Sequence, residues 1–168
     1  MDLGLSGRVA LVTGASSGLG LAIAQELAHE GAAVAMLARR AELLRREAAA
    51  LVARTHSRVL PCPADVTDAA ATIAAIDQAE ATLGPVDILV ANAGGPPSTS
   101  FAETSEAQYR AALEVNLLAS VRLAQRCVPG MRARGWGRVI FLTSMAAKQP
   151  LPGLLLSNTA RAGLLGFA

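Results

Sequence analysis

A glycine-rich stretch near the amino terminus constrains the fold more than any other part of the sequence. Residues 13–20 read Thr-Gly-Ala-Ser-Ser-Gly-Leu-Gly, after the apolar run 9–12 and before an amphipathic pattern over 19–30. A strand, a tight turn and a helix are expected in that order. Glycines let a backbone approach a phosphate because they carry no Cβ, and the unpaired N–H groups and dipole at a helix start favour negative charge. The stretch therefore predicts a dinucleotide phosphate site.

Short apolar strands alternate with longer amphipathic helices along the rest of the chain. This alternation predicts an open parallel sheet with crossover helices on both faces. The expected fold class is α/β: a Rossmann-type doubly wound parallel sheet in three layers, α/β/α. The predicted strands are 9–12, 33–38, 58–62, 86–90 and 139–142, and the predicted helices are 19–30, 41–55, 68–83, 105 to about 134, and 153 to the end.

Composition limits the classes of function that the chain can have. It has 168 residues, 52% of them hydrophobic, and a net charge of +2. These values fit one domain over 1–168, and they point to no nucleic-acid partner and no membrane. There is no metal-ligand spacing, the two cysteines are expected to be buried thiols, and no signal-peptide pattern opens the chain, so a cytoplasmic location is expected. Because the apolar helical pattern of 163–168 has no stop signal, we expect the domain to be incomplete after Ala168.

Further motifs follow the glycine turn in register, and with them the sequence resembles the short-chain dehydrogenase/reductase family over its whole length. They are Asp65-Val66 after the third strand, Asn92-Ala93-Gly94 after the fourth, Asn116 in the long helix and Ser144 after the fifth. A divergent subgroup resembling 3-oxoacyl-carrier-protein reductases is the nearest match. The resemblance implies a cofactor site built from Gly14, Ser16, Ser17, Gly18, Leu19, Gly20, Arg39, Arg40, Asp65, Val66, Asn92, Ala93 and Gly94.

The resemblance gives three of these motifs specific roles. Asp65 would lie near the adenine amino group, although a plain turn acid explains it equally well. Asn92 would have a structural role under the cofactor. Asn116 lies in mid-helix, where asparagine is a poor helix former, and would kink the helix and hold a water.

The choice of cofactor follows from charge after the second strand. NAD-preferring Rossmann sites place an acidic residue there to bind the ribose hydroxyls, but this sequence continues with Arg39 and Arg40. A guanidinium pairs with a 2′-phosphate, which a carboxylate would repel. NADP(H) is therefore predicted, with Arg39 as the main contact. The alternative is that both arginines are solvated loop charges.

The expected catalytic residues depart from the family pattern. The family uses a serine, a tyrosine and a lysine, the last two four residues apart on one helical face. Ser144 matches the serine, whereas Ser157 and Arg161 stand at the tyrosine and lysine positions. A serine hydroxyl is shorter and far less acidic than a phenol, and arginine relays protons poorly because its pKa stays above ~12. The predicted catalytic set is therefore Asn116, Ser144, Ser157 and Arg161.

Two main hypotheses of function follow. The first is an NADP(H)-dependent oxidoreductase that transfers hydride to or from a small carbonyl or alcohol substrate. The second is a non-catalytic NADP(H)-binding sensor, or an oligomer partner of an active reductase. A third hypothesis is that cofactor binding has been lost. The resemblance also implies a homodimer or homotetramer.

Overall fold

Five parallel strands form a sheet in the order β3-β2-β1-β4-β5. The structure is a computed structural model that describes residues 3–168. Met1 and Asp2 lie outside the described residues. They are the first two residues of the amino-terminal segment in which the sequence shows no signal-peptide pattern. The predicted α/β class and all five predicted strands are confirmed, with ends shifted by one or two residues. The strands are β1 (Val9–Thr13), β2 (Ala33–Ala38), β3 (Val59–Pro63), β4 (Ile88–Ala91) and β5 (Arg138–Phe141).

Helices connect the strands and cover both faces of the sheet. The last predicted helix begins two residues later than expected, and a short 3₁₀ turn, Met145–Ala147, lies in the loop that precedes it. Helix α1 ends one residue earlier than predicted, and Gly31 follows its C-cap with a φ of 86°. The helices are α1 (Gly18–His29), α2 (Ala41–Thr55), α3 (Ala69–Leu83), α4 (Glu106–Leu113), α5 (Ala119–Ala133) and α6 (Leu155–Phe167).

The core lies on the two faces of the sheet, and successive residues of a strand contribute to opposite faces. In β1, Leu11 belongs to the cluster on one face and Val12 to the cluster on the other, and both are fully buried. Because both faces are covered at the centre of the sheet, β1, β2 and β4 read as continuous apolar runs, whereas the edge strand β5 is partly exposed. Leu37, Leu89 and Leu123 extend the first cluster, and Met36, Leu44 and Val90 extend the second.

The long helix predicted after Ser105 is interrupted. Between α4 and α5 the chain forms a π-helical turn, Glu114–Leu118. Asn116 lies within it, and its Nδ2 donates to the carbonyl of Ala112 at 3.3 Å. A side chain that competes for the carbonyl one turn back perturbs regular α-helical bonding, so the predicted distortion at Asn116 takes the form of a π turn.

The strand order positions the functional site. Strand β1 pairs with β2 on one side and with β4 on the other, so the order reverses between β1 and β4. Connections that leave these two strands diverge to opposite faces and open a crevice at their carboxyl ends. Within residues 3–168, no helix has the length and apolar composition needed to cross a membrane.

Candidate functional site

A cleft of about 780 Å³ opens at the carboxyl ends of the strands, at the point where the strand order reverses. Most of the predicted cofactor residues line it. Gly18 and Gly20 are absent from its lining, and Asn116 contributes to it. The predicted residues in the wall are Gly14, Ser16, Ser17, Leu19, Arg39, Arg40, Asp65, Val66, Asn92, Ala93 and Gly94.

The glycine turn joins β1 to α1 at one end of the cleft. Gly14 and Gly18 have φ angles of 62° and 58°, which side-chain-bearing residues rarely adopt. A Cβ on Gly20 would lie 2.7 Å from Asn92 Nδ2 and closer still to the carbonyl oxygen of Gly14. Gly20 therefore lets the first turn of α1 pack directly against the end of β1.

The start of α1 is suited to an anion. Ser17 is the N-cap residue, but its side chain makes no capping hydrogen bond, and the first turn holds no acidic residue. Leu19 lines the cleft and is 70% exposed. Backbone N–H groups at the start of a 12-residue helix are thus left without a side-chain partner, beside an open cleft.

Two arginines border the cleft in different ways. The Arg40 guanidinium donates to Ser16 Oγ at 3.0 Å and to Ser17 Oγ, so it lies against the glycine turn. Arg39 is 77% exposed, and its Nη1 lies 3.7 Å from Asp65 Oδ2 at the end of β3. Arg39 and Arg40 therefore place positive charge beside both the turn and the adjoining strand end.

Asp65 is ionised over a wide pH range. Burial raises the pKa of its carboxyl, but hydrogen bonds from the Thr67 N–H and hydroxyl, and then the charge of Arg39, outweigh burial. The pKa is consequently lowered from its ordinary value of 3.8. Asp65 thus presents a carboxylate on the wall of the cleft.

Asn116 contributes a polar atom without a partner. The residue is 3% exposed, and its Oδ1 is buried with no hydrogen-bond partner among the described residues. Because an unpaired buried carbonyl is costly, this atom is an acceptor available to a ligand or an ordered water.

The lining of the cleft does not include Ser144, Ser157 or Arg161, although Arg161 contacts the lining residue Ala93. Ser144 follows β5 and caps the 3₁₀ turn, its Oγ accepting from the Ala146 N–H at 3.1 Å. Ser157 and Arg161 are each 8% exposed and lie one turn apart in α6. The structure thus keeps the helical spacing expected for the pair but buries both side chains.

Arg161 is fixed on backbone carbonyls at the ends of two strands. Its guanidinium donates to the carbonyl of Leu142, just after β5, and to that of Ala93, after β4, at 3.5 Å. Burial lowers the pKa of the Arg161 guanidinium, which nevertheless stays charged at neutral pH. This arrangement stabilises the carboxyl edge of the sheet next to Asn92-Ala93-Gly94.

Sequence reasoning missed the part of the wall that comes from α4 and the π turn. Small residues there face the cleft, as does the loop that follows Gly94. The available signal was Asn116, because the residue four positions earlier on a helix, here Ala112, shares its face. The missed residues are Ala38, Ala64, Gly95, Pro96, Pro97, Ala111, Ala112 and Val115.

Comparison with known proteins is consistent with this geometry. The family model described as short chain dehydrogenase matches residues 8–168. The chain is 43% identical to glycine betaine reductase ATRR of Emericella nidulans over 89% of this chain and 12% of that protein. It is 34% identical to ketoacyl reductase HetN of Nostoc sp. over 96% of this chain and 56% of that protein.

A solved structure gives the same result. The chain superposes with a TM-score of 0.95 and 40% identity on L-sorbose reductase from Gluconobacter frateurii, which was solved with NADPH and L-sorbose. The match covers 99% of this chain and 64% of that one. The chain thus spans less than two thirds of the length of each of these three proteins.

Proposed function

The chain belongs to the short-chain dehydrogenase family, and on that premise we propose that the protein is an NADP(H)-dependent oxidoreductase acting on a small carbonyl or alcohol substrate. The observation that carries the proposal is the pair of guanidinium groups, Arg39 and Arg40, on the rim of the cleft beside the glycine turn. No carboxylate directly follows β2, where one would repel a 2′-phosphate. The NADPH bound in L-sorbose reductase supports the same cofactor.

The residues present fit a dinucleotide phosphate. The first turn of α1 offers backbone donors with no competing acid, and the close approach of Gly20 to Gly14 leaves no room for a side chain in the turn. Ser16, Ser17 and Arg40 add polar groups at the same end of the cleft. Asp65 and Val66 would flank the adenine, and Asn92, Ala93 and Gly94 would support the cofactor from below.

We assign the 2′-phosphate to both arginines, with Arg39 as the main contact. Its guanidinium is exposed, and its one charged partner among residues 3–168 is Asp65 at 3.7 Å, so a phosphate can replace that partner at little cost. Arg40 would join it from the serine side of the turn. Removal of one bidentate guanidinium contact is expected to weaken NADPH binding about tenfold.

Titration of the full-length polypeptide with NADPH and NADH tests this assignment. Arg39→Met should weaken NADPH binding about tenfold and leave NADH binding unchanged. Arg40→Met also removes the contacts to Ser16 and Ser17 of the glycine turn, so it should weaken NADPH binding about tenfold and NADH binding less. Arg45→Met is the matched control, because Arg45 pairs with Glu42 on the surface of α2. Equal affinity for both cofactors, or no change of NADPH affinity in either variant, would show that the two arginines do not bind a 2′-phosphate.

The chemistry would take place at the carboxyl ends of β4 and β5. NADP(H), when bound, supplies or accepts the hydride. Ser144 would hold the substrate oxygen, and Ser157 with a water would provide the proton that the family takes from tyrosine. Asn116 would hold that water through its unpaired Oδ1. Arg161 holds the ends of β4 and β5 in place and adds positive charge near them.

One observation favours the alternative of a non-catalytic NADP(H)-binding protein. The Arg161 guanidinium is already bound to two carbonyls, and Ser157 is buried with no side-chain hydrogen bond to another described residue. In that arrangement neither residue reproduces a tyrosine acidified by a neighbouring lysine. The cofactor half of the site would then serve binding alone.

Activity measurements separate the two functions. The full-length polypeptide is assayed for NADPH oxidation against a panel of ketones, aldehydes and β-ketoacyl thioesters, beside the double variant S157Y/R161K. Turnover by the parent protein supports the enzyme. Tight NADPH binding without turnover, together with activity that appears only in the double variant, supports the sensor or partner function.

Assembly is a separate proposal. Members of this family typically form oligomers, and we infer a homodimer or homotetramer for the whole protein. Leu118 is 43% exposed at the end of the π turn, which is consistent with a covered surface there. Sedimentation of the full-length polypeptide tests it, and a monomer at micromolar concentration would refute it.

A further inference from the structure

Arg122 connects two walls of the cleft without lining it. It lies in the first turn of α5, just after the π-helical turn, and its side chain is 27% exposed. Its Nη2 donates to the carbonyl of Val66 at 3.1 Å and also to the carboxylate of Glu114. One nitrogen of the guanidinium therefore connects Val66, in the segment after β3, to Glu114, the first residue of the π turn.

Each of these partners is part of a cleft wall or adjoins one. Val66 lines the cleft next to Asp65, on the side proposed for the adenine. Glu114 directly precedes Val115 and Asn116, which also line the cleft but belong to the π turn. Thus one partly buried charged contact ties two parts of the cleft wall together.

The turn at Asp65 is held on its other side by a different element. The carbonyl of Asp65 accepts from Thr72 Oγ1 at 3.1 Å and from the Asp68 N–H at 3.0 Å, both near the start of α3. The Val66 carbonyl has Arg122 as its side-chain partner. Removal of Arg122 therefore frees the half of the turn that faces the cleft while the half tied to α3 stays in place.

The cost of this contact suggests that it serves the site. Arg122 Nε is buried without a hydrogen-bond partner among the described residues, so the guanidinium is only partly satisfied. Breaking the hydrogen bonds of a partly buried guanidinium is costly, whereas apolar replacement of a whole ion pair is often neutral. Stability alone therefore does not account for a charged tie at this position.

We propose that Arg122 is a positioning residue that sets the width of the cofactor cleft, and thereby the affinity for the adenosine half of the cofactor. This role rests on the proposed NADP(H) site. It acts through Val66 and Glu114, and Arg122 itself touches no part of the cofactor.

The same helix provides a matched control. Arg126 lies one turn further along α5, is 32% exposed, and pairs with Asp77 and Glu80 of α3. Its guanidinium is also paired with carboxylates, but neither partner lines the cleft. Arg126→Met should therefore lower stability without changing the cleft.

The experiment uses the full-length polypeptide and calorimetric titration with 2′,5′-ADP, which represents the adenosine half of NADP(H). Arg122→Met should weaken binding about tenfold, and Arg126→Met should leave it unchanged. Arg122→Lys keeps a charge and a donor but cannot form the same fork, so its affinity should fall between the two. It also provides a folded variant should Arg122→Met fail to fold.

Hydrogen exchange adds a measurement that needs no ligand. Arg122→Met should accelerate amide exchange in residues 64–68 and 112–116, and Arg126→Met should not. Equal 2′,5′-ADP affinity in Arg122→Met and the wild type, or equal weakening by both methionine variants, would overturn the positioning role. Failure of the wild-type protein to bind 2′,5′-ADP would instead refute the proposed cofactor, and with it this role.

Discussion

Thr13 and Asn92, at the ends of neighbouring strands, exchange three hydrogen bonds beneath the cleft. Thr13 Oγ1 donates to the Asn92 carbonyl at 2.7 Å and accepts from the Asn92 N–H at 2.9 Å. Asn92 Nδ2 donates to the Thr13 carbonyl at 3.2 Å. The hydroxyl thus satisfies both backbone groups of a residue distant in the chain, and it joins β1 to the loop after β4 where the strand order reverses.

Replacing Thr13 with valine keeps the volume of the side chain and removes the hydroxyl. Two partly buried backbone groups of Asn92 lose their partner, and each such loss costs about 1–3 kcal/mol. We expect the free energy of unfolding to fall by about 2–4 kcal/mol, measured by urea denaturation.

A second threonine provides the control for that substitution. Thr82 is exposed in α3, and within the described part of the chain its hydroxyl bonds only to the carbonyl of Gln78 in the same helix. Thr82→Val should change stability by less than about 0.5 kcal/mol. If both valine variants proved equally stable, the Thr13–Asn92 connection would contribute nothing.

Gly20 should not tolerate even alanine. Its Cβ would overlap the Gly14 carbonyl and crowd Asn92 Nδ2, and neither group can move without disturbing the turn. Gly20→Ala should lower the free energy of unfolding by about 1–3 kcal/mol, the usual cost of overpacking, and weaken NADPH binding. Thermal unfolding and fluorescence titration measure the two effects.

Gly166 is the matched control for this change. It lies exposed in α6, and a Cβ there would meet nothing within 4 Å. Alanine is the better helix former, so Gly166→Ala should stabilise the protein by up to about 1 kcal/mol and leave NADPH binding unchanged. A Gly20→Ala variant that behaved like Gly166→Ala would contradict the proposed close packing.

The sheet and the phosphate end of the cleft could be predicted because local patterns encode them. Continuous apolar runs, amphipathic patterns and glycine-rich turns each indicate local backbone structure without knowledge of distant residues. The glycine turn at residues 13–20 was found in this way. The distortion at Asn116 was implied by the family resemblance, with the poor helix propensity of asparagine in its favour.

The remainder depends on contacts between distant side chains, which spacing does not encode. Sequence reasoning placed Arg39 and Arg40 together, but the contact of Arg40 with Ser16 and Ser17 spans 23 or 24 residues and depends on the direction of the side chain. The binding of Arg161 to two strand-end carbonyls likewise appears only once the strands are assembled. Arg122 gave no signal at all, because nothing in its local pattern indicates its partners.

We expect the free energy of unfolding at acidic pH to depend on the ionisation of the Asp65 carboxyl group. Its pKa is lowered from 3.8 in the folded protein, so it contributes stability that is fully present above the unfolded value. That contribution is lost as the pH falls below about 4 and through the folded pKa. The difference in urea midpoint between wild type and Asp65→Asn should therefore be constant from about pH 5 upward and shrink below about pH 4. Asp77→Asn, at a carboxylate away from the cleft, is the control for a general effect of charge removal.

Both cysteines should be inert to thiol reagents in the folded protein. Cys62 and Cys127 are 1% and 3% exposed, and both are free. Burial raises the pKa of the Cys62 thiol to about 11, and burial, reinforced by the charge of Glu80, raises that of Cys127 to about 12. At pH 8 only about one Cys62 thiol in a thousand is ionised, and the thiolate is the reactive form.

A disulfide exchange reagent such as DTNB should consequently react with neither thiol in the native protein and with both after unfolding in guanidinium chloride. Cys62→Ala and Cys127→Ala should each remove one of the two thiols counted in the unfolded protein. Because the reagent must wait for opening of the core, the native reaction rate should rise in Thr13→Val in step with its lower stability. Rapid reaction of either thiol in the wild-type protein would show that the face of the sheet holding both cysteines opens far more readily than its burial implies.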